Sequence, residues 1–179
     1  MHLVNTFVAV LFLTILSACN TKPIDTPQTK ISAGKSALET ITLLTESGTE
    51  LSTELAISHE DQVRGLSGRQ SNEFGGNQAM LFFYDREGTR SFWMPDTYFN
   101  LDIIMINKDL KVTDIHKNVP AHPGRSEPPA IARTPPVWAQ HVLEIRADAP
   151  AAREIKVGTK FRIKGSTKSL SEIVREIRP

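Results

Sequence analysis

Thr40-Ile41-Thr42-Leu43-Leu44-Thr45 and Glu50-Leu51-Ser52-Thr53-Glu54-Leu55-Ala56-Ile57 are two short runs rich in Ile, Leu and Thr, parted by Ser47-Gly48. Runs of this length and composition read as strands, and Ser-Gly between them reads as a hairpin turn. Working outward, the same composition recurs at 79–84, 90–94, 101–107, 110–116, 140–146 and 160–164, with Asn107-Lys108-Asp109 as a turn between two of the runs. The spacing predicts a mostly β chain of α+β type: one antiparallel barrel or sandwich.

Two helices are expected to interrupt the strands. Near 58–65, Ser58 is placed as an N-cap ahead of Glu60 and Asp61, and Gly65 offers a stop after Arg64. In the tail, Ser169-Leu170-Ser171-Glu172 has the capping-box pattern, and Leu170, Ile173, Val174 and Ile177 fall on one face. That amphipathic tail, residues 166–179, is expected to pack on the domain. Residues 120–136 contain six prolines and no periodicity. A structureless loop of that length inside a small domain is usually functional or mobile.

Charge narrows the partners. With 21 basic and 20 acidic residues the chain is nearly neutral, which argues against nucleic acid or a strongly polyanionic main ligand. The part after residue 37 is about 140 residues, enough to bury roughly two-thirds of its unfolded surface as one domain. A monomer is expected, and no cofactor.

The only cysteine, Cys19, follows the apolar run Phe7-Val8-Ala9-Val10-Leu11-Phe12-Leu13-Thr14-Ile15-Leu16, which is too short to span a bilayer. Leu16-Ser17-Ala18-Cys19 resembles the lipobox of bacterial lipoproteins. The resemblance implies cleavage behind Ala18 and a diacylglycerol on Cys19. The segment 1–6 departs from the pattern in having no Lys or Arg. On this reading 1–18 is a signal peptide and 19–37 is a disordered tether. The domain, 38–165, is then held to a membrane of the cell envelope by its lipid. Asn20, where an Asp would favour inner-membrane retention, points to the periplasmic side of the outer membrane.

The centre of the chain carries a dense signature. It comprises Arg64-Gly65-Leu66-Ser67-Gly68-Arg69, Met80-Leu81-Phe82-Phe83, Ser91-Phe92-Trp93-Met94-Pro95-Asp96-Thr97 and Leu101-Asp102-Ile103-Ile104. Val142-Leu143-Glu144-Ile145 and Ile155-Lys156-Val157-Gly158-Thr159 continue it. Together these resemble the domain-of-unknown-function family 192 over about 38–164. Ser67, Ala79 and Asp96 stand where that family usually has Met, Gly and Asn. The resemblance implies a β-rich, jelly-roll-like single domain with a short helix, and it implies no activity.

Several residues are candidates for chemistry. In an extended Phe92-Trp93-Met94-Pro95, Phe92 and Met94 point one way and Trp93 the other, so Trp93 either covers the barrel end or offers a stacking platform. Asp102, ahead of Ile103-Ile104-Met105-Ile106, needs a partner if buried, and Arg64 or Arg69 are the expected ones. His116, His122 and His141, with Asp114 or Glu144, invite a metal hypothesis, but their spacing matches no zinc pattern and no metal is expected. Ser91 or Ser126 with His116 would be needed for a hydrolase, and neither serine lies in a nucleophile elbow. Lys156, Lys160, Arg162, Lys164, Lys168, Arg175 and Arg178 make the C-terminal region basic. They form a solvated face, or one that rests on anionic head groups.

The leading expectation is a lipid-anchored envelope protein that binds a small molecule or an envelope glycan. Its cleft is to be lined by Arg64, Trp93, Thr97, Asp102, His116 and Arg125. Two alternatives stand beside it. One is a hydrolase or metal-assisted enzyme using His116 with Asp114 or Asp102. The other is an assembly partner acting through the proline-rich loop or the C-terminal helix.

Overall fold

Strand β1 (Thr40–Leu44) and strand β2 (Glu50–Ala56) pair antiparallel, with Leu44 opposite Glu50 across the turn that Gly48 closes onto Thr45. This computed structural model describes residues 38–178. The expected leader, the Cys19 lipid site and the tether lie outside the described residues.

Five further long or central strands follow. They are β3 (Gln78–Phe82), β5 (Leu101–Ile106), β6 (Val112–Val119), β8 (His141–Arg146) and the two-residue β9 (Arg162–Ile163). With β1 and β2 they form one seven-stranded sheet, in the order β6-β5-β8-β3-β2-β1-β9. The sheet curls into a half-barrel, so the β-rich class stands as expected. Between β3 and β5 lies β4 (Gly88–Arg90), which pairs with β7 (Val137–Ala139) in a separate ribbon.

Three details differ from the expected pattern, the first being β7 itself, which lies at 137–139 where no strand is expected. Strands β2 and β3 run parallel, because helix α1 (His59–Arg64) and a long loop carry the chain back between them. The strand expected at 90–94 ends at Arg90. From there, backbone bonds between Thr134 N–H and the Phe92 carbonyl (2.8 Å) and between Met94 N–H and the Ala132 carbonyl (3.1 Å) hold 92–94 against the proline-rich loop. Prolines at 135 and 136 cannot donate to a ladder, which keeps this pairing irregular.

Side chains alternate across the sheet and build two cores. On one face Leu51, Leu55, Leu81, Ile104, Leu143 and Ile145 pack under helix α2 (Leu170–Ile177), which contributes buried Leu170 and Val174. The capping box expected at Ser169 and Glu172 is present. On the other face Met80, Phe82, Met94, Leu101, Ile103 and Val142 pack with Phe74 and Ile131. Helix α1 begins at Ser58, whose side chain accepts from Asp61 N–H, and it rests over this second core. Gln62 fixes it there by donating to the Phe83 carbonyl at 2.5 Å. Among the described residues no helix is long and apolar enough to cross a membrane.

Candidate functional site

One row of residues runs across the sheet on the face of the second core. Glu54 pairs with Met80, Met80 with Glu144, Glu144 with Ile103, and Ile103 with His116. Laterally paired residues share a face, so two carboxyl groups and an imidazole are threaded among apolar side chains. Glu54 lies near the outer end of the row and is neutralised by a bidentate pair with Arg69, one arm of which measures 2.7 Å. Glu144 lies in the middle and has no such partner.

Glu144 is 5% exposed. Its strand neighbours are Met80 and Ile103, and nothing among the described residues hydrogen-bonds its carboxyl group. Burial alone pushes its pKa up from 4.5 to about 8. Near neutral pH it is therefore mostly a carboxylic acid, with an O–H to donate. It lines a cleft of about 40 Å³ whose walls include Arg64, Ser67, Trp93, Met94 and Thr97, over Phe82 and Leu101.

Local structure explains how those walls meet. Gly65 ends α1 with φ +48°, and a Cβ there would stand 3.2 Å from the Phe82 ring, so only glycine lets the chain turn this close to the floor. Beyond it, Ser67 Oγ donates to the Pro95 carbonyl at 2.8 Å, and Gly68 N–H donates to the Asp96 carbonyl at 2.8 Å. These bonds tie the loop after α1 to the segment 92–97. Within that segment Met94 is buried, and Phe92 meets Phe82 edge-on at 4.9 Å. Trp93, pointing the other way, is 52% exposed, with the Arg133 guanidinium 5.4 Å from its ring centroid. Asp96 adopts φ +55°, a conformation that Asn and Asp tolerate, and its neighbour Thr97 is buried and bridges to His122.

The structure thus brings Arg64, Trp93 and Thr97 to one cleft. Asp102, His116 and Arg125 are not among the residues lining it. Asp102 lies on the opposite face of β5 from Ile103, where its Oδ1 accepts from Asn118 N–H at 2.8 Å. Its Oδ2 lies 2.8 Å from the Lys117 ammonium. That contact is an ion pair without hydrogen-bond geometry at Oδ2, and the ammonium donates to the Ala152 carbonyl at 2.5 Å. The partner of Asp102 is therefore Lys117, not the expected Arg64 or Arg69. Arg64 pairs instead with Asp61 and, at 3.8 Å, with Glu60 of its own helix. Arg125 is exposed, 4.0 Å from Asp96.

The expected pairing of His116 with an acid is not formed. Asp102 faces the other side of the sheet, Asp114 accepts from the Ile115 N–H at 2.8 Å, and His116 Nε2 is buried without a partner among the described residues. His141 accepts from Tyr84 N–H through Nδ1 at 3.3 Å, stacks on Phe83, and has its pKa lowered to about 4 by burial and by the nearby Arg90. His122 Nε2 lies 3.0 Å from the Ser126 carbonyl. Ser91 Oγ donates to the Thr134 carbonyl at 2.8 Å. Among the described residues no three His, Cys, Asp or Glu side chains converge as a metal site would need.

The signature strung along these walls matches a known family over residues 42–163. The chain belongs to the DUF192 family. This family is described as an uncharacterised ACR family. Two solved structures share the fold. One, from Sinorhizobium meliloti 1021 and described as a candidate transcription regulator, is 28% identical, with a TM-score of 0.59 over 74% of this chain and 100% of the other. The second, a protein of unknown function from Novosphingobium aromaticivorans DSM 12444, is 29% identical, with a TM-score of 0.53 over 70% of this chain and 84% of the other. No functionally curated protein matches the chain. Within this DUF192 domain, Glu144 is the ionisable cleft residue that sequence reasoning did not assign to ligand binding. Its signal is an acid inside the apolar run Val142-Leu143-Glu144-Ile145, where period-two reading puts it on the same face as Val142.

Proposed function

We propose that this protein is lipid-anchored through Cys19 on the periplasmic side of the outer membrane, and that its cleft binds a sugar unit of an envelope glycan. The observation that carries the binding claim is the Glu144 side chain, set between Met80 and Ile103 in the sheet and lining a cleft rimmed by the half-exposed ring of Trp93. A space of about 40 Å³ is little more than one water molecule's share of the liquid, so it admits a single polar group and not a whole ligand. A sugar lying against the Trp93 indole reaches that space with one hydroxyl. Glu144 donates to the hydroxyl oxygen, and Arg64 and Thr97 set its orientation. Transcriptional control, the role suggested for the S. meliloti protein, finds no support in a chain of net charge +1.

Saturation-transfer NMR with N-acetylglucosamine and glucose as probes tests this on the full chain in neutral detergent. Transfer that disappears in Trp93→Ala and in Glu144→Ala, with melting curves showing both variants folded, is the expected result. Equal transfer in wild type and variants would sink the cleft. Metabolic labelling with an alkyne fatty acid tests the anchor separately, since Cys19→Ser should lose all label.

A further inference from the structure

We infer that a second site, remote in composition from the Glu144 cleft, binds a phosphate-bearing ligand. It is a groove of about 810 Å³ over Leu44, Leu110 and Phe161, and it shares no lining residue with the cleft. Its size falls in the range of small-molecule pockets. Five cations line it, Lys108, Lys160, Arg162, Lys164 and Lys168, against the two carboxylates of Asp109 and Glu172. The cations arrive from segments some fifty residues apart. Lys108 sits in the turn between β5 and β6, and the others sit on and around β9.

The backbone that carries them is fixed. The Asn107 side chain accepts from Asp109 N–H at 3.0 Å and from Lys111 N–H at 2.9 Å, which holds the turn. Val112 N–H donates to the Thr159 carbonyl at 2.8 Å, and Phe161 N–H donates to the Leu110 carbonyl at 2.9 Å, joining the turn to the β9 segment. An antiparallel bridge then sets Lys111 opposite Lys160. Of this pair Lys160 lines the groove and Lys111 does not, so the bridge serves to fix the backbone that presents Lys160.

Not all of this charge is spent inside the protein. Lys164 pairs with Glu50 at 2.5 Å and Lys168 with Glu176 at 2.6 Å. Lys108, Lys160 and Arg162 make no ion pair among the described residues. The N-terminus of α2 also borders the groove, where its capping box takes up the Ser169 and Glu172 N–H groups, and the affinity is assigned to the cations. Several converging ammonium and guanidinium groups suit an oxyanion of more than one charge. Net charge of only +1 on the whole chain makes a confined phosphate a better fit than a nucleic-acid duplex.

Titration calorimetry on the full chain in neutral detergent, with inorganic pyrophosphate and with dihexanoyl-phosphatidylglycerol, tests the site. Dihexanoyl-phosphatidylcholine is the uncharged reference. The double change Lys160→Glu with Arg162→Glu should weaken binding at least tenfold, and Lys108→Glu, on a separate turn, should weaken it several-fold if the double variant does not fold. Lys160→Arg should retain binding. Loss confined to phosphatidylglycerol identifies a lipid head group, and loss confined to pyrophosphate identifies a free phosphate compound; either supports the site. Absence of binding by both probes, binding indifferent to these changes, or a short DNA duplex that binds more tightly through the same residues would overturn it.

Discussion

Glu144 is set between Met80 and Ile103, so ionising it strands a charge in apolar surroundings. Its pKa of about 8 in the fold, against 4.5 for a free carboxyl, means the folded chain holds one proton more than the unfolded chain between those values. Stability contributed by this group is complete below pH 4.5 and is lost as pH rises towards 8. His141 acts in the opposite sense. Lowered to about 4 from 6.5, it makes the folded chain hold one proton fewer in that window, so its contribution is lost as pH falls. From about pH 4.5 to 6.5 the two slopes cancel, and from 6.5 to 8 the Glu144 slope is no longer opposed by His141. Urea denaturation across this range should show stability falling by up to about 1.4 kcal/mol per pH unit above 6.5. Glu144→Gln should abolish that fall and expose a rise from about pH 4 to 6.5 due to His141. A second test at this scale concerns Gly65. At φ +48° and with Phe82 3.2 Å from where a Cβ would stand, Gly65→Ala should cost about 1–3 kcal/mol in the same denaturation assay. A cost near zero would show that the turn after α1 relaxes freely.

Helix α2 shows how far an element can be read in advance. Its capping box and its apolar face at Leu170, Ile173, Val174 and Ile177 are legible from spacing alone, and the structure buries Leu170 and Val174 in the first core. Each such side chain stabilises the fold by about 1.5–3 kcal/mol. Truncation after Gly165 should therefore lower stability by at least about 3 kcal/mol, read from the urea midpoint at constant slope. An unchanged midpoint would mean that the tail is free to engage a partner. The segment 90–94 marks the opposite case. Its alternation is real, with Phe92 and Met94 in and Trp93 out, yet it is no regular strand, because its hydrogen-bond partner is the proline-rich loop. Period-two patterning reports which side chains are buried and leaves the identity of the pairing partner open.

Across the whole molecule, β3, β8 and β5 lie at the centre of the sheet with both faces covered, while β9 and the β4–β7 ribbon lie at the periphery. Native-state hydrogen exchange should accordingly find the amides of Ile103 to Met105 and Val142 to Ile145 opening only with global unfolding. Those of Gly88 to Arg90 and Val137 to Ala139 should exchange by local opening at lower free energy. Uniform protection would contradict this hierarchy. By itself the sequence determined the β-rich class, the positions of most strands, both helix starts and the family, because hydrophobic period, caps and turn residues act over a few neighbours. It also marked Arg64, Trp93 and Thr97. Only the tertiary structure decided that these three share a cleft with Glu144, that Asp102 turns away from it to Lys117, and that Lys108 meets Lys160 and Arg162 at one groove. Those outcomes follow from strand order and lateral register, set by packing between segments remote in the chain, to which local patterning is blind.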